Sequence, residues 1–276
     1  MQIDREFVRI AEGQVHLRRT VGSPAGRPLI AIHMSPVASG FLLPLVEELG
    51  KTRPVIAPDT LGNGSSCAPG IENPDIPYFA DALRRLLDTM SVADCDLYGV
   101  RTGSMIATEL ALTAPGRVRH LIIDELAVPG PARSTGSSGE PPPKPDAIGS
   151  QFRWAWQVMH DHFIFYPWWS RDAAHRRKFS QPSPERMHDM TVELLTSAAT
   201  FNRSYGAAMT WPREERVAQL KVPTAVLYQP DLEVFADMAP TAAVIPGATL
   251  LALPHGDDSQ EAKGRAIAAW LDGRRP

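Results

Sequence analysis

The sequence predicts an α/β protein, a mostly parallel, doubly wound sheet of about eight strands with a helical cap insertion. Two observations predict it. Short apolar runs rich in β-branched residues alternate with segments of helical periodicity along most of the 276 residues, as a parallel sheet with crossover helices requires. That alternation is interrupted once, over 128–205, where no parallel-strand pattern is found.

In chain order, FVRIAEGQVHLRR reads as a β-hairpin turning at Glu12 and Gly13. PLIAIH, RPVIAP, CDLYGV and VRHLIID follow as strands, each nearly continuously apolar, as strands buried on both faces are. Between them, FLLPLVEELG, IPYFADALRRLLDTM and SMIATELALTAPG repeat apolar residues at helical spacing. The last closes at Ala114, Pro115 and Gly116, a helix-ending combination. VPTAVLY and ATLLALP supply two more strands, and EAKGRAIAAWL an amphipathic final helix. The interruption opens with PGPARSTGSSGEPPPKPD, a Pro/Gly/Ser run that sustains neither helix nor central strand. It continues with FRWAWQVMHDHFIFYPWWSRDAAHRRKF and the helix-like MHDMTVELLTSAAT. The expected division is a core of 1–128 and 207–276 and an insertion of 129–206, laid over the carboxyl end of the sheet.

Composition narrows the partners. With 43% hydrophobic and 21% charged residues and a formal charge of -3, no long-range field draws the chain to nucleic acid or an anionic membrane. No run reaches the roughly 18 apolar residues of a membrane span, and MQIDREFVRI carries charges where a signal peptide is apolar. The expectation is a soluble, cytoplasmic protein with a small-molecule substrate and no nucleic-acid or membrane partner, a homodimer being left open. Cys67 and Cys95 show no CxxC or Cys/His spacing, so neither a disulfide framework nor a zinc site is expected. No cofactor or metal is expected either.

Loop patterns then fall in a fixed order at the strand ends. IHMSPVASG follows the third strand, PDTLGNGSS the fourth and YGVRTGSM the fifth, with YQPDLEV and LPHGDDS after the last two. In that order they resemble the α/β-hydrolase family over essentially the whole chain, with the aromatic insertion where that family keeps its cap. The resemblance implies an α/β-hydrolase fold and a nucleophile elbow of form G-x-nucleophile-x-G, whose small residues let a strained strand-to-helix turn present one side chain. The glycines are Gly99 and Gly103, but the nucleophile slot holds Arg101. A guanidinium stays protonated, offers only donors and cannot attack a carbonyl. An acyl-enzyme on this residue is therefore excluded. Thr102 and Ser104 begin the following helix and are poor substitutes. The alternative for Arg101 is a residue of a dead site that reaches solvent or pairs with a carboxylate.

Of the family's other positions, Asp231 after TAVLY matches the acid, and His255 after LLALP matches the base to within a residue or two, while counting back from the final helix puts Gly256 in that slot instead. So paired, the carboxylate fixes the imidazole tautomer and supports the imidazolium. Asp124 and Glu125, ending the sixth strand, are alternative acids. The resemblance places His33, Met34, Ser35 and Pro36 in the loop that gives the oxyanion hole one backbone N–H, Thr102 giving the other. Met34 stands where the family usually has glycine. The stretch from Pro58 and Asp59 through Gly62, Asn63 and Gly64 to Ser66 matches a structural turn.

In the insertion, His160, Asp161 and His162 invite a metal reading, but side chains two apart diverge on a helix and no third ligand converges. Trp154, Trp156, Phe163, Phe165, Tyr166, Trp168 and Trp169 read first as packing, and a subset roofs a pocket, with Trp154, His160 and Trp168 as substrate contacts. Arg171, Arg176, Arg177 and Lys178 read as a solvated basic face. The function expected is non-covalent acid/base chemistry on a small molecule with an anionic or carbonyl group. Arg101 binds the anion or oxyanion and His255, with Asp231, moves the proton. The outcome is hydrolysis by activated water or a lyase-, isomerase- or cyclase-type reaction. A non-catalytic ligand receptor on the same fold is the alternative.

Overall fold

The computed structural model of the protein describes residues 1–128, 142–165, 167–177, 181–228, 238–254 and 259–274. Asp231, His255, Gly256, Tyr166 and Lys178 lie outside the described residues. The hairpin is formed by β1 (Gln2–Ile10) and β2 (Gly13–Val21). Its turn is at Ala11 and Glu12, one residue earlier than expected, because Gly13 already pairs with Ile10. Gly13 has φ +146, and a Cβ there would meet the Cys67 side chain at 3.0 Å. Both the backbone and the space demand glycine.

Strands β3 (Leu29–Ile32), β4 (Val55–Pro58), β5 (Cys95–Val100), β6 (Val118–Asp124), β7 (Thr224–Tyr228) and β8 (Thr249–Ala252) complete an eight-stranded sheet of order β1-β2-β4-β3-β5-β6-β7-β8. Only β2 runs antiparallel to its neighbours; the remaining pairs are parallel. Strands β3, β4 and β5 are buried along their whole length, the reason they read as unbroken apolar runs. Winding reverses between β3 and β5, since β4 lies on one side of β3 and β5 on the other. Such a reversal opens a crevice at the carboxyl ends of the two strands.

Helix α1 (Leu43–Gly50) follows a 3-10 turn, Ser39–Leu42. It starts later than its apolar spacing suggests, because Pro44 sits in the first turn, where its missing N–H costs nothing. Helix α2 (Ile76–Thr89) is capped by Asp75, which accepts the Tyr78 N–H, and buries Ile76, Phe79, Ala80, Leu83, Leu86 and Leu87 in one stripe. By contrast α3 (Thr102–Thr113) is buried from Thr102 to Ala111 without interruption, which its small residues permit. Between β6 and β7 lie α4 (Ser150–Ile164), α5 (Pro184–Ser197), α6 (Phe201–Thr210) and α7 (Arg213–Val217). Helix α8 (Met238–Val244) precedes β8, and α9 (Gln260–Leu271) packs on α1.

Polar contacts seat α5 and α6 on the loops that leave β3 and β4. Glu193 of α5 accepts the Ala38 N–H at 2.9 Å, Ser197 Oγ accepts the Gly64 N–H at 3.0 Å, and the Ser204 and Ser35 hydroxyls bond at 2.7 Å. The inserted helices therefore sit at the carboxyl ends of the strands, beside the crevice. Among the described residues no helix is long and apolar enough to cross a membrane.

Candidate active site

The chain leaves β5 at Val100 and enters α3 at Thr102, so the whole reversal falls on Arg101, with φ 51 and ψ -111. Both flanking glycines are dictated by contact. A Cβ on Gly99 would lie 2.5 Å from Ser104 N, and one on Gly103 would run into the carbonyl oxygen of Ile32 and come within 2.7 Å of His33 O. The turn is stapled to β6. Arg101 N–H donates to Asp124 O at 2.9 Å, while Ser104 Oγ donates to Gly99 O and Asp124 O (2.6 and 2.8 Å) and accepts the Asp124 N–H at 3.2 Å. Ser104 is fully buried and Thr102 nearly so. Ser104 thus rivets the turn to β5 and β6.

Arg101 does not extend into solvent. Its Nε–H donates to Glu125 Oε2 at 2.6 Å, and its NH1 group donates to His162 Nε2, on α4, at 3.1 Å. Burial would raise the Glu125 carboxyl, but the charges of Arg101 and Lys263 outweigh it and hold that carboxyl at about 2. Glu125 itself has φ 51, the second strained residue at this spot. Lys263 of α9 bonds Asp124 Oδ2 at 2.7 Å and reaches Glu125 Oε1 at 3.5 Å. Tyr98 OH donates to the same Asp124 oxygen at 2.6 Å. Burial pushes the Asp124 carboxyl up, against the pull of the Lys263 ammonium. His162 is driven the other way, to about 3, by burial first and then by Arg101 and Arg177. The Nε2 that faces the Arg101 donor is the unprotonated nitrogen, in line with that direction.

The other expected residues divide. His33 is buried and both ring nitrogens are engaged: Nδ1–H donates to Met34 O at 2.8 Å and Nε2 accepts the Thr60 N–H at 2.9 Å. No ring nitrogen is left for a ligand, so only the backbone of this loop can serve. The N–H groups of Met34 and Thr102 form no hydrogen bond with a described residue, and the Gly103 contacts bring their two loops together. His160 does not join Arg101 and instead bonds Asp161 at 3.1 Å. The histidine that reaches the elbow is His162, because two helical steps turn a side chain through roughly 200°. Trp154 and Trp168 pack partly buried against the core, and Trp168 meets Trp169 edge to face.

Two further expectations change. Of the basic cluster, Arg171 pairs with the buried Asp161, and Arg177 donates to His162 O at 3.0 Å. Arg177 therefore belongs to the elbow cluster, not to a solvated face. The Asp59 turn is structural, as read. Its carboxylate accepts Ser39 N–H and Ser65 N–H and the His16 ring, each at 2.8 Å. Sequence reasoning weighed His162 only as a metal ligand, read Arg177 as part of a solvated face and ranked Glu125 only as a spare acid, so it gave none of the three a place at the elbow. The spacing within HDH was the available signal.

No protein-family model matches the sequence. The sequence is 38% identical over 104 residues to a 2-hydroxymuconate semialdehyde hydrolase of Pseudomonas sp. (strain CF600), covering 37% of either chain. It is 26% identical over 126 residues to a proline iminopeptidase of Heyndrickxia coagulans, covering 45% of this chain and 44% of that one. The match thus spans less than half the length of these curated relatives. A solved hydrolase from Pseudomonas aeruginosa PA01 superposes with a TM-score of 0.67 at 20% identity, over 97% of this chain and 98% of that one. The protein has the α/β-hydrolase fold, and its relatives by sequence are hydrolases.

Proposed function

We propose that the protein is a hydrolase-superfamily enzyme acting on a small molecule with an anionic or carbonyl group, without an acyl-enzyme at its elbow. The observation that carries this reading is the elbow: the strained backbone and both glycines are kept, and a guanidinium held by Glu125 and His162 stands at the tip. A cation fixed in advance stabilises a carboxylate or developing oxyanion without reorganising during the reaction. The N–H groups of Met34 and Thr102, which bond no described residue, are suited to the same charge. In this reading His255, oriented by Asp231, is the base. It activates a water for hydrolysis or abstracts a proton in lyase, isomerase or cyclase chemistry. The inserted helices act as the cap, the scheme uses no cofactor, and the enzyme works in the cytoplasm. Support for the substrate class comes from the relative named for 2-hydroxymuconate semialdehyde, a compound that carries a carboxylate and an aldehyde.

The test is a panel of carboxylate-bearing esters, amides and semialdehydes, run beside a fluorophosphonate probe. Turnover that falls about a hundredfold in both Arg101→Ala and His255→Ala, with no probe labelling, is the expected outcome. Labelling at Thr102 or Ser104 overturns the reading. Binding without turnover, lost in Arg101→Ala and intact in His255→Ala, assigns the protein to the ligand receptors instead.

A further inference from the structure

Strand β1 is the outermost strand of the sheet and pairs with β2 alone. One side of its nine-residue backbone is therefore open. On β2, the carbonyl oxygens of Gln14 and His16 accept the Cys67 and Asp59 N–H groups at 2.9 and 2.8 Å, and the His16 N–H donates to Ser66 Oγ at 3.0 Å. Those two residues thus turn their backbone away from β1. Facing pairs in an antiparallel ladder alternate between bonded and non-bonded. Phe7 and Arg9, which stand opposite His16 and Gln14, and Arg5, two residues earlier, consequently turn their N–H and C=O groups to the open edge. Among the described residues, none outside the hairpin bonds these groups.

The same three residues place their side chains on one face of the strand, in steps of about 7 Å. Phe7 is 54% exposed, with its ring against His16 at 5.2 Å. Arg5 gives its Nε–H to His16 Nε2 at 3.0 Å, and neither Arg5 nor Arg9 forms an ion pair with a described residue. Arg5 also stands directly opposite Arg18, a like-charge placement that costs stability. The acids of the strand lie on the other face and are engaged: Glu6 pairs with Arg19 at 3.0 Å, and Asp4 accepts the Gln2 amide at 2.9 Å. The open edge thus presents cation, aromatic ring and cation beside an unfilled ladder.

We propose that the β1 edge is a docking site for an extended acidic segment of another protein, added antiparallel as a further strand. Its pattern is acid-x-apolar-x-acid, with carboxylates opposite Arg5 and Arg9 and the apolar side chain on Phe7. A polypeptide fits because the edge offers donors and acceptors in alternation, whereas a phosphate chain only accepts. A second copy of this chain fits poorly. Symmetric pairing centred on Arg5 or on Glu6 sets that residue against its own copy, and pairing centred on Phe7 sets Arg5 against Arg9, so each of these registers opposes like charges.

The probe is the peptide acetyl-TETYTET-amide, titrated into the 15N-labelled whole protein. It is expected to shift the amide signals of Arg5, Phe7 and Arg9 and to slow their hydrogen exchange. Methylating the backbone nitrogen of the peptide's tyrosine, which faces β1, is expected to abolish binding. Methylating that of the threonine before it, which faces away, leaves binding in place. The double variant Arg5→Glu, Arg9→Glu, checked for folding by its melting curve, is expected to bind the acidic peptide at least about tenfold more weakly. It should bind acetyl-TKTYTKT-amide instead. No shift at up to about 1 mM peptide, equal binding of the two methylated peptides, or equal binding of the lysine peptide to the wild type overturns the proposal. Tighter binding of single-stranded oligothymidine at the same residues overturns it in favour of nucleic acid. A dimer in sedimentation whose Phe7 amide is already protected from exchange overturns it in favour of a second copy.

Discussion

Arg101 adopts φ 51 and ψ -111, a conformation that costs a non-glycine residue on the order of 1–3 kcal/mol. That cost is met by bonds reaching out to β6 and to α4, 24 and 61 residues away in sequence. The frame around it tolerates nothing larger than hydrogen. In Gly103→Ala the new methyl meets the Ile32 carbonyl, a backbone atom that cannot rotate aside. This variant is expected to lose at least about 3 kcal/mol, seen as a lowered urea midpoint or as insoluble protein. Gly26→Ala, where a Cβ meets nothing within 4 Å, should stay within about 0.5 kcal/mol of the wild type and serves as the control. The unusual residue was legible from the G-V-R-T-G string alone. Its partners were not, because nothing local marks Glu125 or His162 as neighbours of the elbow.

Helix α5 shows how an inserted element is tied to the sheet. The Glu193 carboxylate accepts the Ala38 N–H and lies so close to Gly40 that a Cβ there would overlap it, while Arg186 on the same helix donates to Phe41 O. Burial pushes the Glu193 carboxyl up to about 7, with Asp59 adding to the shift and Arg186 and Arg18 opposing it. The folded value lies above the ordinary 4.5, so the folded state binds the proton more tightly than the unfolded chain does. Stability from this group is complete below about 4.5 and is lost as pH rises through about 7. Glu193→Gln removes that titration. Its melting temperature, measured against the wild type, is expected to gain ground between about pH 5 and 8. Helix phase also explains His160 and His162. Both residues of the motif were visible, but which one turns to the elbow depends on where α4 begins and how it is rotated.

At the scale of the molecule, buried ion pairs join elements that the chain keeps far apart. Glu109, buried on α3, accepts bonds from Arg216 of α7 and from Trp211 Nε1. Arg216→Met strands that carboxylate and is expected to cost about 3 kcal/mol, read from urea unfolding, with the transition remaining single because α3 is central to the sheet. What the sequence by itself determined was the alternation of strands and helices and the arginine that stands between Gly99 and Gly103 at position 101. Those properties are carried by local spacing: buried parallel strands must be apolar throughout, and an arginine is a donor whatever surrounds it. Only the tertiary structure decided the strand order, the burial of Ser104, the closing of both His33 nitrogens, and the clamp of Glu125 and His162 on Arg101. Each of these depends on groups dozens of residues apart meeting at the switch point of the sheet, and no periodicity records such a meeting. The sequence supplied the charge at the elbow, and the fold chose which neighbours hold it.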